Sequence, residues 1–344
     1  MSIASQLTAL EGNISDAYDM VAQRGGTVPA RKNMENLDDA IATIPSGSSF
    51  IGIPKAVESG VYKTPTSSFT FSLPNGTTEL DAYELSRAFT DSGITSLDLN
   101  GVATMGNYAC QYLCRNCSNL TSATGLNSIT TLGTNALEYA FAGCTSLTSI
   151  NLSGVSTISS RNACSSICDG CTSLASINLS NLAIVSGQNG LQYAFRGCTS
   201  LVSVSLDSLT TVSGVNGLAY AFYGCTSLTN VSLSSLTTIG SSGLGYAFYN
   251  CRSLVTLTFP SLNNLNNTRC LGDLCGNCTS LTTISFPALT PSSFGSSTNQ
   301  FNNMLGGCSN VTVHFPAAVQ STIGSWYTVQ NGFGGTNTTV LFDL

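Results

Sequence analysis

Charge is what this sequence has least of. Of 344 residues only 8% are charged, against about a quarter in a typical globular chain. Eleven Lys and Arg stand against seventeen Asp and Glu, a net charge of −6. So few cations cannot build a basic face. That argues against nucleic acid as a partner and against a polybasic membrane contact. One His, His314, and one Trp, Trp326, leave little for His-based catalysis or a multi-His metal site. No run of about 18 apolar residues occurs, so membrane insertion is not expected. Met1 to Leu10 carry neither a basic n-region nor an apolar h-region. An export signal is therefore not expected. The chain is expected to fold in a cytoplasm, from which lysis could release it.

What is present is apolar and short-chain polar. Hydrophobic residues make up 42% and Ser with Thr about a quarter. That apolar fraction supports a large core and sets the chain apart from disordered sequences. Fourteen Cys in such a chain are expected to be thiols rather than disulfides.

Self-similarity dominates the sequence. The phrase Gly-Cys-Thr-Ser-Leu recurs with its Cys at 117, 144, 171, 198, 225, 251, 278 and 308. Successive spacings are 27, 27, 27, 27, 26, 27 and 30. A degenerate earlier unit, Ala88 to Ile94, has Ser92 in the Cys column. Within one unit, Leu137, Ala140, Phe141 and Cys144 fall on one face of a short helix by their i, i+3, i+4, i+7 spacing. Leu147, Ile150 and Leu152 follow with the alternation of a short strand. Val155 and Ile158 add a second apolar pair before a polar loop. No unit can bury its apolar edge alone, but stacked units make one continuous core. The expected fold class is an α/β repeat solenoid, a leucine-rich repeat of about 27 residues per unit with short parallel strands.

The run Ala-Phe-x-x-Cys-x-Ser-Leu-x-x-Ile-x-Leu, over roughly residues 80 to 316, resembles the BspA-like, or Treponema pallidum type, leucine-rich repeat. The resemblance implies a curved solenoid with a parallel sheet on one face. It also implies a role in sticking to partners, since members of that family are mostly bacterial surface proteins.

Both ends depart from the repeat. Residues 1–46 read as two helices and a helical attachment or oligomerisation segment. Ile3, Leu7, Leu10, Ile14, Ala17 and Val21 alternate four and three apart, a heptad seam. That seam either drives self-association, for example as a trimer, or packs helix 1 on helix 2. The pattern Leu10-x-x-Asn13-Ile14-x-x-Ala17, Gly25-Gly26-Thr27-Val28-Pro29, Asn36-Leu37 and Ile41-x-x-Ile44-Pro45 is similar to the start of many bacteriophage tail and fibre proteins. It implies attachment to other virion tail proteins. Residues 47–87 read as linker and N-terminal cap, 88–310 as the solenoid, and 311–344 as a C-terminal cap. In that cap a helix is expected over Pro316 to Trp326 and a strand over Thr339 to Leu344.

Three features invite chemistry. Cys110-x3-Cys114-x2-Cys117, repeated at Cys164, Cys168 and Cys171, has the thiolate spacing of radical S-adenosylmethionine enzymes, and three soft thiolates suit a cluster or zinc. The repeat alignment instead places these Cys in the Leu, Phe and Cys core columns, as small hydrophobes. His314 reads as a strand-face residue rather than a base. Scattered carboxylates, among them Asp98, Asp169, Asp207 and Asp273, suggest no pair. No nucleophile elbow is present, so neither an enzyme nor a cofactor is expected.

Two surfaces remain. One is the solvent side of the strands: Thr148, Ser149 and Asn151; Ser176 and Asn178; Ser203 and Ser205; Asn230 and Ser232; Thr256 and Thr258; Thr283 and Ser285. These either solvate the strand face or bind a partner on an extended sheet. The other is a tyrosine ladder, Tyr112, Tyr139, Tyr193, Tyr220 and Tyr246. It either adds contact area to a binding surface or stacks between repeats. The function expected is a virion tail component, adhering to a host cell-surface glycan or protein. A cellular adhesin on the bacterial surface is the alternative.

Overall fold

The 27-residue period becomes one coil of a parallel solenoid. The structure, a computed structural model, describes residues 56–58, 61–63, 68–73, 75–265, 268–294, 299–324 and 332–344. Two units are distinguished, Met1–Pro65 and Thr66–Leu344. In the first, Ala56–Glu58 and Val61–Lys63 form an antiparallel hairpin. The seam residues Ile3, Leu7, Leu10, Ile14 and Val21 lie outside the described residues. The second unit is the solenoid.

Each coil contributes a first strand of about three residues, such as Ser149–Asn151 or Ser176–Asn178. The middle residue points inward, as Ile150 does, and its neighbours point to solvent. Pairing is parallel and in register: Ser149 faces Ser176, Ile150 faces Ile177 and Asn151 faces Asn178. A second, two-residue strand follows, and Thr157–Ile158, Ile184–Val185, Thr211–Val212 and Thr238–Ile239 form one continuous parallel sheet. The sequence pattern shows only its apolar residue.

The rest of the coil is not the expected helix. Between Gly133 and Cys144 the amides alternate in purpose. Ala136, Glu138, Ala140, Ala142 and Cys144 each donate to the carbonyl three residues back. Asn135, Leu137, Tyr139, Phe141 and Gly143 each donate to a carbonyl of the next coil. Left-handed backbone recurs every fourth residue, at Asn135 (φ 57°), Tyr139 (φ 53°) and Gly143 (φ 75°). Each of these is the third residue of a hydrogen-bonded turn, the type II arrangement. A true helix would keep every amide to itself and leave the next coil unbonded. The turn ladder shares the amides between coil and neighbour. Its four-residue repeat still puts Leu137, Ala140, Phe141 and Cys144 inside, all at 0% exposure. Among the described residues, the α-helix is confined to Gln320–Gly324, after a 3-10 turn at Ala317–Val319.

Left-handed backbone costs an L-residue about 1–2 kcal/mol. Asn and Gly tolerate it, and they hold most places in the outer two columns of the ladder, with Tyr83, Tyr108, Ser242, Arg269 and Asp91 in the others. The middle column holds tyrosines instead: Tyr112, Tyr139, Tyr193, Tyr220 and Tyr246, with φ between 53° and 57°. Their rings stack from coil to coil. Tyr220 lies 4.7 Å from Tyr193 and 4.6 Å from Tyr246, centroid to centroid. Tyr112 and Tyr139 stand 5.3 Å apart. Stacking worth about 0.5–1.5 kcal/mol per pair offsets the backbone term. At Ser166 the ladder is interrupted. There the hydroxyl is buried without a hydrogen-bond partner. Arg196, over the Tyr193 ring at 5.0 Å, reaches back to Asp169 across that coil with two short bonds.

The core has an internal hydrogen-bond column of its own. Each repeat Cys donates its S–H across to a carbonyl one coil earlier: Cys171 to Phe141 at 3.0 Å, Cys198 to Cys168 at 3.3 Å, Cys225 to Phe195 at 3.2 Å. Ser92 sits in the same column and bonds the Cys117 sulfur. Phenylalanines plug both ends. Phe71 packs on Phe89 at 4.7 Å, and Phe301 touches Phe315 and Phe333 at 5.6 Å each. The last strand, Thr339–Phe342, pairs parallel to Thr312–Phe315.

Two outcomes follow from this packing. Burial pushes the thiols of Cys164, Cys225 and Cys270 up to about 12, from an ordinary value of 9.0. Below pH 9 both folded and unfolded chains keep these protons. Between pH 9 and 12 only the unfolded chain releases them, so stability falls as pH rises, by about 1.4 kcal/mol per thiol per pH unit. Urea midpoints in reducing buffer at pH 8, 9.5 and 10.5 should decline on this slope. Replacing the three Cys by Ala should make it shallower without abolishing it, because Cys110, Cys114, Cys144, Cys168, Cys198, Cys251, Cys275 and Cys308 are raised by burial too. Tyr220→Ala should lower stability by about 2–3 kcal/mol through loss of two stacked pairs. Tyr220→Asn should lose less, because Asn accepts the left-handed backbone. A thermal midpoint unchanged in Tyr220→Ala would show that the ladder does not hold the coils.

Candidate functional site

The strand face is built by alternation. Ile150, Val204, Val231, Leu257 and Ile284 point into the core, so the residues on either side must point out. Ser149, Asn151, Ser176, Asn178, Ser203, Ser205, Asn230, Thr256 and Thr258 are exposed, while Ser232, Thr283 and Ser285 are half-buried. Thr148 is exposed at the entry to its strand, and the same column carries Val202 and Val255, both largely exposed. The structure thus brings all of the expected strand-face residues onto one polar strip.

Several of these side chains are already engaged. The Oδ1 atoms of Asn151 and Asn178 accept the amides of Ser153 and Ser180, at 3.1 and 3.0 Å, closing a turn after each strand. Their Nδ2 donors are left for other partners. Asp98 does the same for Asn100 and also accepts the Thr124 hydroxyl at 2.8 Å. Asp207 collects three hydroxyls, from Ser205, Ser232 and Ser234. Those bonds, the Ser232 one foremost, hold its carboxyl down to about 2. Asp207 is therefore ionised at neutral pH, and the three serines turn their lone pairs, not their protons, to solvent. Sequence reasoning gave no role to Asp98 or Asp207. An Asp two residues from a strand hydroxyl or turn amide was the available signal.

The face is also split, which no side-chain pattern shows. Strand pairing breaks between Ser122–Thr124 and Ser149–Asn151, between Ser176–Asn178 and Ser203–Ser205, and between Asn230–Ser232 and Thr256–Thr258. The splits recur every second coil. Two shallow hollows open at them. One is lined by Thr124, Asn127, Ser149 and Asn151, the other by Asn230, Ser232, Thr256 and Thr258. At these places, adjacent strands lie side by side without a ladder of backbone bonds.

The remaining candidates resolve into packing. Cys110, Cys114 and Cys117, like Cys164, Cys168 and Cys171, are fully buried in the Leu, Phe and Cys columns, where the alignment puts them. Among the described residues, no three His, Cys, Asp or Glu side chains are grouped so as to hold a metal ion. His314 lies on the strand Thr312–Phe315, and its Nδ1 meets Asp343 at 2.9 Å. The tyrosines of the second surface are half-buried, with their ring faces taken up by one another and by Arg87, Arg115 and Arg196.

The BspA type leucine-rich repeat region matches this chain in six copies, over residues 51–159, 111–214 and 192–326. A comparison with curated proteins finds no match. Among solved structures, a leucine-rich repeat protein from Bacteroides ovatus is 18% identical over 79% of this chain and 92% of its own, with a TM-score of 0.24. The pneumococcal vaccine antigen PcpA is 15% identical over 83% and 80%, at 0.36. A leucine-rich repeat protein of T. pallidum is 16% identical over 78% and 86%, at 0.28. The repeat match alone spans most of the sequence, and on that ground the chain belongs to the BspA type leucine-rich repeat family.

Proposed function

We propose that this chain is a non-enzymatic recognition protein of a bacteriophage tail, which adheres to the host cell envelope through the strand face of its solenoid. The observation that carries the adhesive part is the strand face itself: a strip of exposed hydroxyls and amides running across successive coils. A short-chain polar strip offers many hydrogen bonds with little side-chain entropy to lose. Each contact is weak, and copies multiply it. The tail assignment is supported by the resemblance of residues 10–45 to the start of tail and fibre proteins. In this reading Ile3, Leu7, Leu10, Ile14 and Val21 hold copies together and against other tail proteins.

Membership of the repeat family favours a second reading, a bacterial cell-surface adhesin using the same face. Immunogold electron microscopy with an antibody to the solenoid separates the two. It is applied to phage lysates and to phage-free cells of the strain that encodes the chain. Gold on tail tips or fibres is the expected result. Gold confined to the envelope of phage-free cells would replace the tail reading with the adhesin one.

A further inference from the structure

The strand face carries a spacing as well as a chemistry. Its three splits stand two coils apart. Parallel strands lie about 4.8 Å apart, so the splits repeat at about 10 Å along the solenoid axis. Each split interrupts the backbone ladder and sets polar groups of adjacent strands beside solvent. Hollows open at the first and third splits.

We propose that the strand face takes a neutral, extended β-1,4-linked glycan laid along the solenoid axis, one disaccharide to every two coils. This rests on the reading of that face as the recognition surface. Three observations select the ligand. The first is length: a disaccharide of an extended β-1,4 chain matches the two-coil repeat. An extended peptide advances about 10 Å in three residues, but residues three apart point to opposite faces, so it cannot repeat one contact at every split.

The second observation is polarity. Ser232 and Ser234 have their protons committed to Asp207, and Thr124 has its proton committed to Asp98. These oxygens accept. Asn151 has its oxygen committed to Ser153, so its amide nitrogen donates. A row of fixed acceptors and donors suits a ligand whose hydroxyls do both. The third is charge. Asp98 and Asp207 flank the two hollows and no cation answers them in either lining. An anionic polymer is repelled there and a neutral one is not.

The test is isothermal titration of the full chain with two hexamers, N-acetylchitohexaose (β-1,4) and maltohexaose (α-1,4). Tighter binding of the β-1,4 hexamer, by tenfold or more, is expected. Ser149→Arg combined with Thr256→Arg fills both hollows and should abolish that binding. Ser159→Arg, exposed in the loop after a second strand, should bind as the wild type does. Equal binding of both hexamers, or unimpaired binding by the double variant, overturns the proposal. Labelled chain is also applied to cells of the encoding strain. If the double variant loses cell binding while neither hexamer binds, the glycan is wrong and the recognition face stands. Loss of binding after protease treatment of the cells would likewise overturn the glycan in favour of a protein. Cell binding retained by the double variant would remove the face and the glycan together.

Discussion

An amide that reaches sideways governs this molecule. In the turn ladder every second N–H is promised to the matching position of the next coil. Satisfying a buried backbone donor is close to obligatory, so the coils cannot slip past one another. Changes in length must fall where the ladder and strands are absent. They do. The 26-residue unit loses its residue between the strand Thr238–Ile239 and the ladder that begins near Gly240. The 30-residue unit gains two of its three extra residues between Leu289 and Phe294, at the 3-10 turn Pro291–Ser293, and the third between Phe294 and Phe301. Close approach enforces the stacking too. Gly125, at φ +84°, has the backbone of Leu99 and Asn100 where a Cβ would project, at 2.2 Å. No larger residue fits there without moving a coil.

Fixed coils in turn dictate the core. Because each column stacks on itself, a substitution in one coil must be absorbed in that coil. Three coils replace the Phe of Ala140-Phe141 by Cys, and each enlarges the neighbouring Ala: Leu113-Cys114, Ile167-Cys168 and Leu274-Cys275. All six side chains are fully buried. The exchange conserves volume across two adjacent positions, which packed cores tolerate best. Volume exchange therefore accounts for Cys114 and Cys168, the middle members of the two metal-like spacings. The repeat Cys column has a different reason. A thiol is apolar enough for the core and still donates to a carbonyl of the previous coil, which an Ala of similar size cannot do.

Much of this was legible in the sequence, because stacking repeats one coil's chemistry many times. The strand face could be read from alternation alone, and the core columns from the Cys register. The helix could not be distinguished. A 3.6-residue helix and a four-residue turn ladder turn the same four side chains inward. The clue lay on the outside of the coil, where Asn189, Tyr193 and Gly197, or Asn216, Tyr220 and Gly224, recur every fourth residue. Asn and Gly at that spacing mark left-handed backbone, but a tyrosine between them hides the pattern. The splits of the strand face leave no trace in composition, because they concern backbone bonds between coils.

Rigidity links this architecture to the recognition role proposed for it. A flexible serine or asparagine must be ordered when it binds, at about 0.5–1.5 kcal/mol for a rotamer-rich side chain. Here the ordering has already happened. Asn151 and Asn178 are held by the turns they close, and Ser205, Ser232 and Ser234 by one carboxylate. The same bonds decide which atoms are donors and which acceptors, so the face presents one pattern of polarity. For a ligand laid on this face as proposed, the small ordering term leaves each coil a modest but net favourable increment. Those increments accumulate along the axis only if the partner shares the solenoid's period. Affinity then becomes a property of the number of coils in step with the ligand, and specificity a property of their spacing. Neither requires a deep pocket, which agrees with the shallowness of the hollows on this face.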